Sequence, residues 1–263
     1  MSAETRSSGA TTLAWISDIG PREENQDRAV VRSQRDGSWL IAVADGMGGH
    51  PRGREAAEAA IRGLPSRVAT PAALFDAFSE ANDRVVDLRP DHLAFTLTGL
   101  HLCPAATLCV ATWTPEGGLL VGHAGDTLAV QLWRDGASWR GRAFGYPHRT
   151  RAGSITRFLG ARREWSQMTD RDHVHITAET GIDMPPGGYA IVILSDGVWE
   201  PLVSEAYTGE TLPSDPIAGA VAGCLTPDVS DADSIANQVM TAARTAGLDD
   251  NATVAVACRA NSA

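Results

Sequence analysis

Residues 39–50 read Trp-Leu-Ile-Ala-Val-Ala-Asp-Gly-Met-Gly-Gly-His, an apolar run followed by a carboxylate and a group of glycines. The run 39–44 predicts a buried strand, and the glycines end it. An aspartate at this point, Asp45, is placed beside other strand ends rather than in open solvent. Glycine lets a backbone carbonyl approach a cation closely, so Asp45 and the carbonyl of Gly46 are candidate metal ligands. Taken alone, the segment also fits an acidic turn after a strand.

Four further acidic motifs accompany this segment in one order along the chain. Carboxylates that converge repel one another and are costly to desolvate, and hard divalent cations with oxygen ligands relieve that cost. Each motif alone would fit an ordinary turn, but the set predicts a multi-metal carboxylate site. The motifs are Arg-Glu-Glu-Asn-Gln-Asp at 22–27, Gly-Asp-Thr at 125–127, Ser-Asp-Gly at 195–197 and Asp-Asp-Asn at 249–251.

The composition is that of an ordinary globular protein and argues against several functions. The 263 residues are 43% apolar and carry a net charge of −10, without a basic run that would neutralise nucleic-acid phosphates. The four cysteines lack zinc-site spacing, and Cys109 and Cys258 lie in apolar runs that predict core positions. Without a signal-peptide pattern or an apolar run long enough to cross a bilayer, we expect a cytoplasmic protein with no membrane insertion.

The distribution of predicted elements indicates an α+β fold. Strand pairs joined by hairpin turns fill the middle of the chain and helices lie in separate blocks, which favours antiparallel sheets. Residues 1–11 are predicted to be a flexible N-terminus, and residues 12–260 are predicted to form one domain. Predicted helices cover 52–68, 71–88, 217–225 and 234–246, and predicted strands cover 12–17, 28–32, 39–44, 94–102, 106–114, 119–124, 128–134, 155–159, 173–178, 189–194 and 252–258.

Arg22 indicates what kind of substrate the acidic motifs serve. A guanidinium can hold two phosphate oxygens while metal ions neutralise the remaining charge. Two metals about 3.5–4 Å apart can also activate a bridging water for in-line attack on phosphorus, which requires no side-chain nucleophile. The sequence contains no Gly-x-Ser-x-Gly motif and no Cys-x5-Arg loop of the kind that supplies a side-chain nucleophile. The alternative is a surface arginine paired with Glu23 or Glu24.

Three histidines are candidates for chemistry, and each has a structural alternative. His50 closes the glycine turn and could protonate a leaving alkoxide, or it could cap or pack against the following helix. His123 lies on a predicted strand just before Asp126, where a structural role is favoured. His148 lies in a polar, arginine-rich loop, where it could simply be solvated.

The five motifs in this order resemble those of the metal-dependent Ser/Thr protein phosphatases of type 2C, the PPM phosphatases, and most closely their bacterial branch. The matching segments span nearly the whole chain, at 20–27, 43–50, 121–126, 194–197 and 250–254. The resemblance implies a four-layer sandwich, with two antiparallel β-sheets packed face to face and flanked by helices. It implies Mn2+- or Mg2+-dependent hydrolysis of phosphoserine and phosphothreonine in proteins, in signalling opposite a Ser/Thr kinase, by a monomer.

The resemblance also implies a role for each acidic motif. Asp45 would bridge two core metals, and Gly46 would lend its carbonyl. Asp196 and Asp250 would hold the first metal. Asp27 would act through water in the shell around the second metal.

Two further roles follow from the same resemblance. Asp126 would help bind a third, weaker metal together with Asp196. Arg22 would grip the phosphate of the substrate.

Several positions depart from the family pattern. Met47 stands where many members carry the histidine proposed as general acid, and Gln26 stands where many eukaryotic members have a glutamate ligand. Thr127 follows Asp126 where a serine is usual, and the Gly-Thr-Thr segment of the family reads Ala-Ala-Thr at 105–107. The flap near 143–155 is predicted to be shortened.

A non-catalytic phosphoprotein-binding or regulatory module that retained the fold is the alternative function. Such a module would be expected to lose a core carboxylate, whereas Asp45, Asp196 and Asp250 are all present. The sporulation-type branch of the same family is disfavoured, because its turn runs Gly-His-Gly after the methionine and residues 48–50 read Gly-Gly-His.

Overall fold

The structure, a computed structural model, describes residues 2–8, 11–89, 103–150, 153–160, 175–179, 188–203 and 214–259. All eleven strands of these residues belong to two antiparallel sheets. The six-stranded sheet has the order β1-β2-β11-β10-β7-β8, and the five-stranded sheet has the order β3-β4-β5-β6-β9. The strands are β1 Ser2–Ser8, β2 Thr11–Asp18, β3 Arg28–Ser33, β4 Trp39–Ala44, β5 Leu108–Thr114, β6 Gly118–Ala124, β7 Leu128–Asp135, β8 Ser138–Phe144, β9 His175–Glu179, β10 Tyr189–Leu194 and β11 Ala252–Arg259.

Helices cover the outer faces of both sheets and complete four layers. Helices α1 and α2 pack on the five-stranded sheet, and α3, α4 and α5 pack on the six-stranded sheet. This arrangement confirms the predicted α+β sandwich. The helices are α1 Gly53–Arg62, α2 Pro71–Val86, α3 Asp196–Leu202, α4 Ser214–Gly223 and α5 Ala232–Ala246.

The central strands are buried on both faces, which explains their uninterrupted apolar runs. Ile41 and Val43 of β4 lie between the two sheets, in one cluster with Ile191 and Ile193 of β10. The alternate residues of β4 lie under α1 and α2, and those of β10 lie under α3, α4 and α5. Cys109 and Cys258, predicted to be core residues, are buried as free thiols.

The end of helix α1 follows local helix-breaking residues and not the spacing of apolar residues. Helix α1 ends at Arg62 rather than at the predicted Val68, since Gly63 and Pro65 follow it and proline disfavours a helical conformation in the residue before it. Leu64 and Val68 are nevertheless buried in the same cluster as α1, so they extend the apolar pattern beyond the helix.

The N-terminal segment differs from the flexible lead that was expected. Ser2–Ser8 form an edge strand that pairs antiparallel with β2 along its whole length. Trp15 of β2 donates a 3.2 Å hydrogen bond from Nε1 to Oε2 of Glu4. Polar side chains suit an edge strand because one face of it remains in water, and this composition resembles that of a disordered segment.

Besides β1, two short elements were missed, and one predicted strand, at 155–159, is not formed. Strand β8 alternates arginines with apolar residues at the sheet edge, and α3 has only seven residues, too few to show a helical period. Residues 155–159 form only isolated bridges, Arg149 with Ile155 and Ala106 with Leu159. The strand predicted at 94–102 lies outside the described residues.

Within the part of the chain that is described, no helix is long and apolar enough to span a membrane.

Candidate metal centre

Antiparallel pairing brings several strand ends to one end of the six-stranded sheet. Leu194, the last residue of β10, pairs with Leu128 at the start of β7 and with Val254 near the start of β11. Loops that enter or leave these strands therefore meet at this end. Three aspartates of the acidic motifs lie at this end: Asp126 before β7, Asp196 as the first residue of α3, and Asp250 before β11.

The five-stranded sheet delivers two more aspartates in the same way. Ala44 ends β4 and pairs with Arg28, which begins β3. Asp45 and Asp27 are the adjoining residues, so they also come together. Two strand ends from one sheet thus face three from the other across the sandwich.

Three carboxylates form the centre of the site. Ligand oxygens of Asp45, Asp126 and Asp196 all lie within 4.8 Å of one another. Asp126 is fully buried and the other two are partly buried. These residues come from motifs separated by up to 151 positions in the sequence (45 to 196), which only the sheet topology brings together.

Asp45 is held by Thr107, which in turn bonds to Thr127, and the sequence indicates neither threonine as part of the site. Its backbone N–H donates to Oγ1 of Thr107 at 3.3 Å, and its carbonyl accepts from the N–H of Thr107 at 2.8 Å. The hydroxyls of Thr107 and Thr127 lie 2.6 Å apart. Both threonines are buried, so this pair fixes the backbone from which the central carboxylate extends.

Asp27 lies in a buried chain of polar groups. Ser195 donates a 2.9 Å hydrogen bond from Oγ to Oδ2 of Asp27, and the N–H of Thr253 donates to the same serine oxygen at 2.9 Å. The hydroxyl of Thr253 donates to Ser17 Oγ, at 2.7 Å. The charge of Asp27 also raises the pKa of the neighbouring Asp45 carboxyl, beyond the effect of burial.

Asp250 lies at the exposed edge of the site, paired with Arg22. Nη2 of Arg22 is 2.8 Å from Oδ2 of Asp250, and Nε of Arg22 donates to the carbonyl of Asp249 at 3.1 Å. This pairing replaces the surface pair with Glu23 or Glu24 that was the alternative for Arg22. Asp250 is not one of the three carboxylates within 4.8 Å of one another, although its charge raises the pKa of Asp27 and Asp196.

Two glycines allow backbone segments to approach closely at the site. A Cβ at Gly46 would lie 2.3 Å from the carbonyl oxygen of Gly53, and a Cβ at Gly197 would lie 2.1 Å from that of Asn251. Both distances are far below van der Waals contact, so no larger residue fits without a shift of the backbone. The glycines after Asp45 and Asp196 therefore allow the loop packing that positions these carboxylates.

The electrostatics of the site favour protonated carboxyls when no cation is bound. Burial raises the pKa of Asp27 to about 6 and that of Asp196 to about 8. Burial also raises the pKa of Asp45 well above its usual range, and the neighbouring Asp27, Asp196 and Asp126 raise it further. At Asp126 burial raises the pKa while the guanidinium of Arg149 opposes the shift.

The donor set fits a hard divalent cation. Among the described residues, Oδ1 of Asp27 and Oδ1 of Asp126 are buried without a hydrogen-bond partner. A buried polar oxygen without a partner is costly, and a cation with oxygen ligands would satisfy it. Carboxylate oxygens are the ligands that Mg2+ and Mn2+ prefer, so the chemistry of this cluster suits either ion.

The histidines take structural contacts. Nδ1 of His50 lies 2.8 Å from the carbonyl oxygen of Cys103, and its ring packs at an angle against Phe158. His123 and His148 are both buried and their rings stack with centroids 4.4 Å apart, so the loop position of His148 does not make it solvated.

The family model described as protein phosphatase 2C matches residues 17–238 of this sequence. The chain belongs to the protein phosphatase 2C family. The predicted resemblance to PPM-type phosphatases is therefore confirmed. A comparison with curated protein sequences found no match to this chain.

Solved structures share the fold of this family member. The PPM Ser-Thr phosphatase MsPP from Mycobacterium smegmatis, solved with cacodylate, is 23% identical, with a TM-score of 0.64 and coverage of 93% of this chain and 97% of that one. The catalytic domain of the phosphatase PstP, solved with two manganese ions, is 21% identical, with a TM-score of 0.64 and coverage of 94% and 97%. PppA, a regulatory component of the type VI secretion system in Pseudomonas aeruginosa, is 20% identical, with a TM-score of 0.64 and coverage of 94% and 96%.

Proposed function

We propose that this chain is a Mn2+- or Mg2+-dependent protein phosphatase that hydrolyses phosphoserine and phosphothreonine in proteins. The observation that carries the proposal is the convergence of Asp45, Asp126 and Asp196 within 4.8 Å, in a chain of the phosphatase 2C family. We propose that Asp45, Asp196 and Asp250 with the Gly46 carbonyl hold two core ions, and that Asp27 acts through water. Asp126, to which the resemblance assigns a third, weaker ion, is not among the ligands proposed for the two core ions.

The surroundings of these residues support a role for them in metal binding. Bound divalent ions would supply charge neutralisation and an activated water for attack on phosphorus. The buried carboxyls give up their protons when a cation binds, so cation binding is coupled to proton release. Thr107 and Ser195 hold Asp45 and Asp27 in place, since second partners of this kind orient ligand groups.

Arg22 is suited to binding the phosphate. Its side chain is 50% exposed beside the carboxylates, and its guanidinium presents donors in a fork that matches two phosphate oxygens. In the reaction a water oxygen bonds to phosphorus while the bond to the seryl or threonyl oxygen breaks. The products are inorganic phosphate and the free hydroxyl of the substrate protein.

The proposed substrates are phosphoproteins that a Ser/Thr kinase produces, and the proposed active form is the monomer. The site lies in an acidic protein, with a net charge of −10, so cations and the Arg22 guanidinium must provide the attraction for phosphate. The proposed place of substrate recognition is the rim, where Arg22 and Asp250 meet.

The test is phosphate release from a phosphothreonine peptide as Mn2+ is titrated, with wild type beside Asp196→Ala. Asp135→Ala is the matched control, because Asp135 is 62% exposed on the β7–β8 hairpin. We expect Mn2+-dependent release by wild type and the control, and none by Asp196→Ala. A folded wild type that binds the peptide without releasing phosphate at any Mn2+ concentration would instead identify a phosphoprotein-binding module.

A further inference from the structure

Arg149 enters the acidic cluster as a cation of the chain itself. Its three guanidinium nitrogens each contact a different carboxylate, with Nε on Asp126, Nη2 on Asp196 and Nη1 on Glu200. The side chain of Arg149 is only 17% exposed, and that of Asp126 is fully buried. Two of the three carboxylates, Asp126 and Asp196, belong to the group within 4.8 Å.

Neighbouring residues hold the guanidinium in this position. It lies over the ring of Trp199, with 5.3 Å between its central carbon and the ring centroid. The indole N–H of Trp199 donates to the carbonyl of Asp126 at 3.0 Å, so the ring is fixed to the same loop as the carboxylate. Cation–π contact and three ion pairs together restrict the arginine to one place.

The loop that carries Arg149 is fastened to the same end of the sandwich. The N–H of His148 donates to the carbonyl of Gly125 at 2.9 Å, and the N–H of Thr156 donates to the carbonyl of His148 at 2.7 Å. Gly125 directly precedes Asp126 in the sequence. The backbone next to Arg149 is therefore hydrogen-bonded to the backbone next to its ion-pair partner.

A divalent ion bound between Asp126 and Asp196 would meet this guanidinium directly. Both groups are positive and would claim the same carboxylate oxygens, so each would displace the other. The guanidinium already brings positive charge to both carboxylates and donates hydrogen bonds that suit their geometry. A third metal ion at this pair would have to remove Arg149 from three carboxylates and from Trp199.

We propose that Arg149 is a built-in cation that occupies the Asp126–Asp196 pair, so that this protein binds two divalent ions and excludes a third. The inference deepens the proposed function and rests on it for the two core ions. It also makes Glu200 a positioning residue, which holds the outer side of the guanidinium without taking part in metal binding.

The test is the number of Mn2+ ions bound to the full chain, measured by equilibrium dialysis with Mn2+ alone as the ligand. Arg149→Met removes the cation and keeps a side chain of similar length. Arg157→Met is the matched control, because Arg157 lies on the same loop and its Nη1 is 3.4 Å from Nε2 of His148. We expect two bound ions in wild type and in the control, and a third, weaker site in Arg149→Met. Equal numbers and affinities in all three proteins would overturn the inference.

Arg149→Lys keeps the inference testable where Arg149→Met does not fold. The lysine ammonium is compact and lacks the planar fork, so it cannot contact three carboxylates at once. We expect a third site of intermediate affinity, seen as a rise in Tm at high Mn2+ that wild type does not show. The absence of that additional rise would overturn the inference.

Counting ions separates this inference from the proposed enzyme activity. If wild type binds two ions and Arg149→Met binds three but neither releases phosphate, the phosphatase proposal fails and the role of Arg149 stands. If phosphate release depends on Mn2+ but the number of ions is the same in every variant, the inference about Arg149 fails alone.

Discussion

Ser195 donates a 2.9 Å hydrogen bond to the carboxylate of Asp27, although 168 positions separate the two residues in the sequence. Ser195 itself accepts the N–H of Thr253 at 2.9 Å, so its hydroxyl proton is directed at Asp27. The other oxygen of Asp27, Oδ1, is buried without a hydrogen-bond partner among the described residues. Ser195 therefore orients Asp27 so that its Oδ1 remains available to a water molecule in the shell around a metal ion.

Ser195→Ala should weaken Mn2+ binding about 10- to 100-fold, as expected for loss of a group that orients a ligand. The measurement is Mn2+ affinity by calorimetry. Ser38→Ala is the matched control, because Ser38 is buried directly before the opposite end of β4. Equal Mn2+ affinity in Ser195→Ala and wild type would show that the hydrogen bond to Asp27 is not needed for the site.

Gly46→Ala should destabilise the protein by about 1–3 kcal/mol, because the new Cβ would lie 2.3 Å from the Gly53 carbonyl oxygen. The required backbone shift should also reduce Mn2+ affinity, since it moves Asp45 and the Gly46 carbonyl. Urea unfolding and Mn2+ titration measure the two effects. Gly48→Ala is the control, since a Cβ at Gly48 has no heavy atom within 4 Å and both properties should stay near wild type. A stable Gly46→Ala protein with normal Mn2+ affinity would contradict this account.

Arg22→Ala should lower kcat/KM for a phosphothreonine peptide about 10- to 100-fold, which corresponds to the loss of a charged hydrogen-bond donor. The effect should lie mainly in KM, while Mn2+ affinity stays close to that of wild type. Steady-state kinetics at saturating Mn2+ test the prediction. Arg54→Ala is the control, because Arg54 has similar exposure, 52% against 50%, and pairs with Glu24 and Glu58. The same loss in both variants would point to a general charge effect.

The metal-free protein should lose stability as pH rises from about 5 to about 8. A buried carboxyl with a raised pKa stabilises the folded state while it is protonated, and this contribution is complete below the unfolded value near 4. It is lost as pH passes about 6 for Asp27 and about 8 for Asp196.

Urea unfolding in the presence of a chelator measures this slope, and saturating Mn2+ should remove it because the bound ion stabilises the ionised carboxylates. Asp196→Asn should flatten the upper part of the curve, near pH 8. Metal-free stability that increases from pH 5 to pH 8 would mean that these carboxyls are already ionised in the folded protein.

Several elements could be predicted from the sequence because their signals are local. Strand β10 has the predicted bounds, and β4 was recognised from one uninterrupted apolar run. Helix α5 ends at the predicted residue, Ala246, but begins two residues before the predicted Ser234, after Asp231, whose Oδ1 accepts the N–H of Ser234 at 2.9 Å. Each of these signals lies within a few residues of the element that it defines.

Other residues of the site could not be identified from the sequence. Arg149 lies in a polar loop beside Tyr146 and His148, and nothing in that stretch distinguishes it from a solvated arginine. Thr107 and Thr127 lie in segments that depart from the family pattern, and the sequence does not indicate that Thr107 holds Asp45 or that Thr127 bonds to Thr107. Their partners lie far away in the chain, so the pairing depends on the packing of two sheets.

The sequence by itself determined the family and the position of each aspartate beside a strand, because apolar runs, glycines and acidic motifs are local patterns. Only the tertiary structure decided which carboxylates meet. Asp45, Asp126 and Asp196 converge while Asp250 turns to Arg22, and Arg149 reaches between two of the three. The physical reason is that strand order and sheet packing follow from the sum of many long-range contacts, whereas a motif specifies only its own few residues.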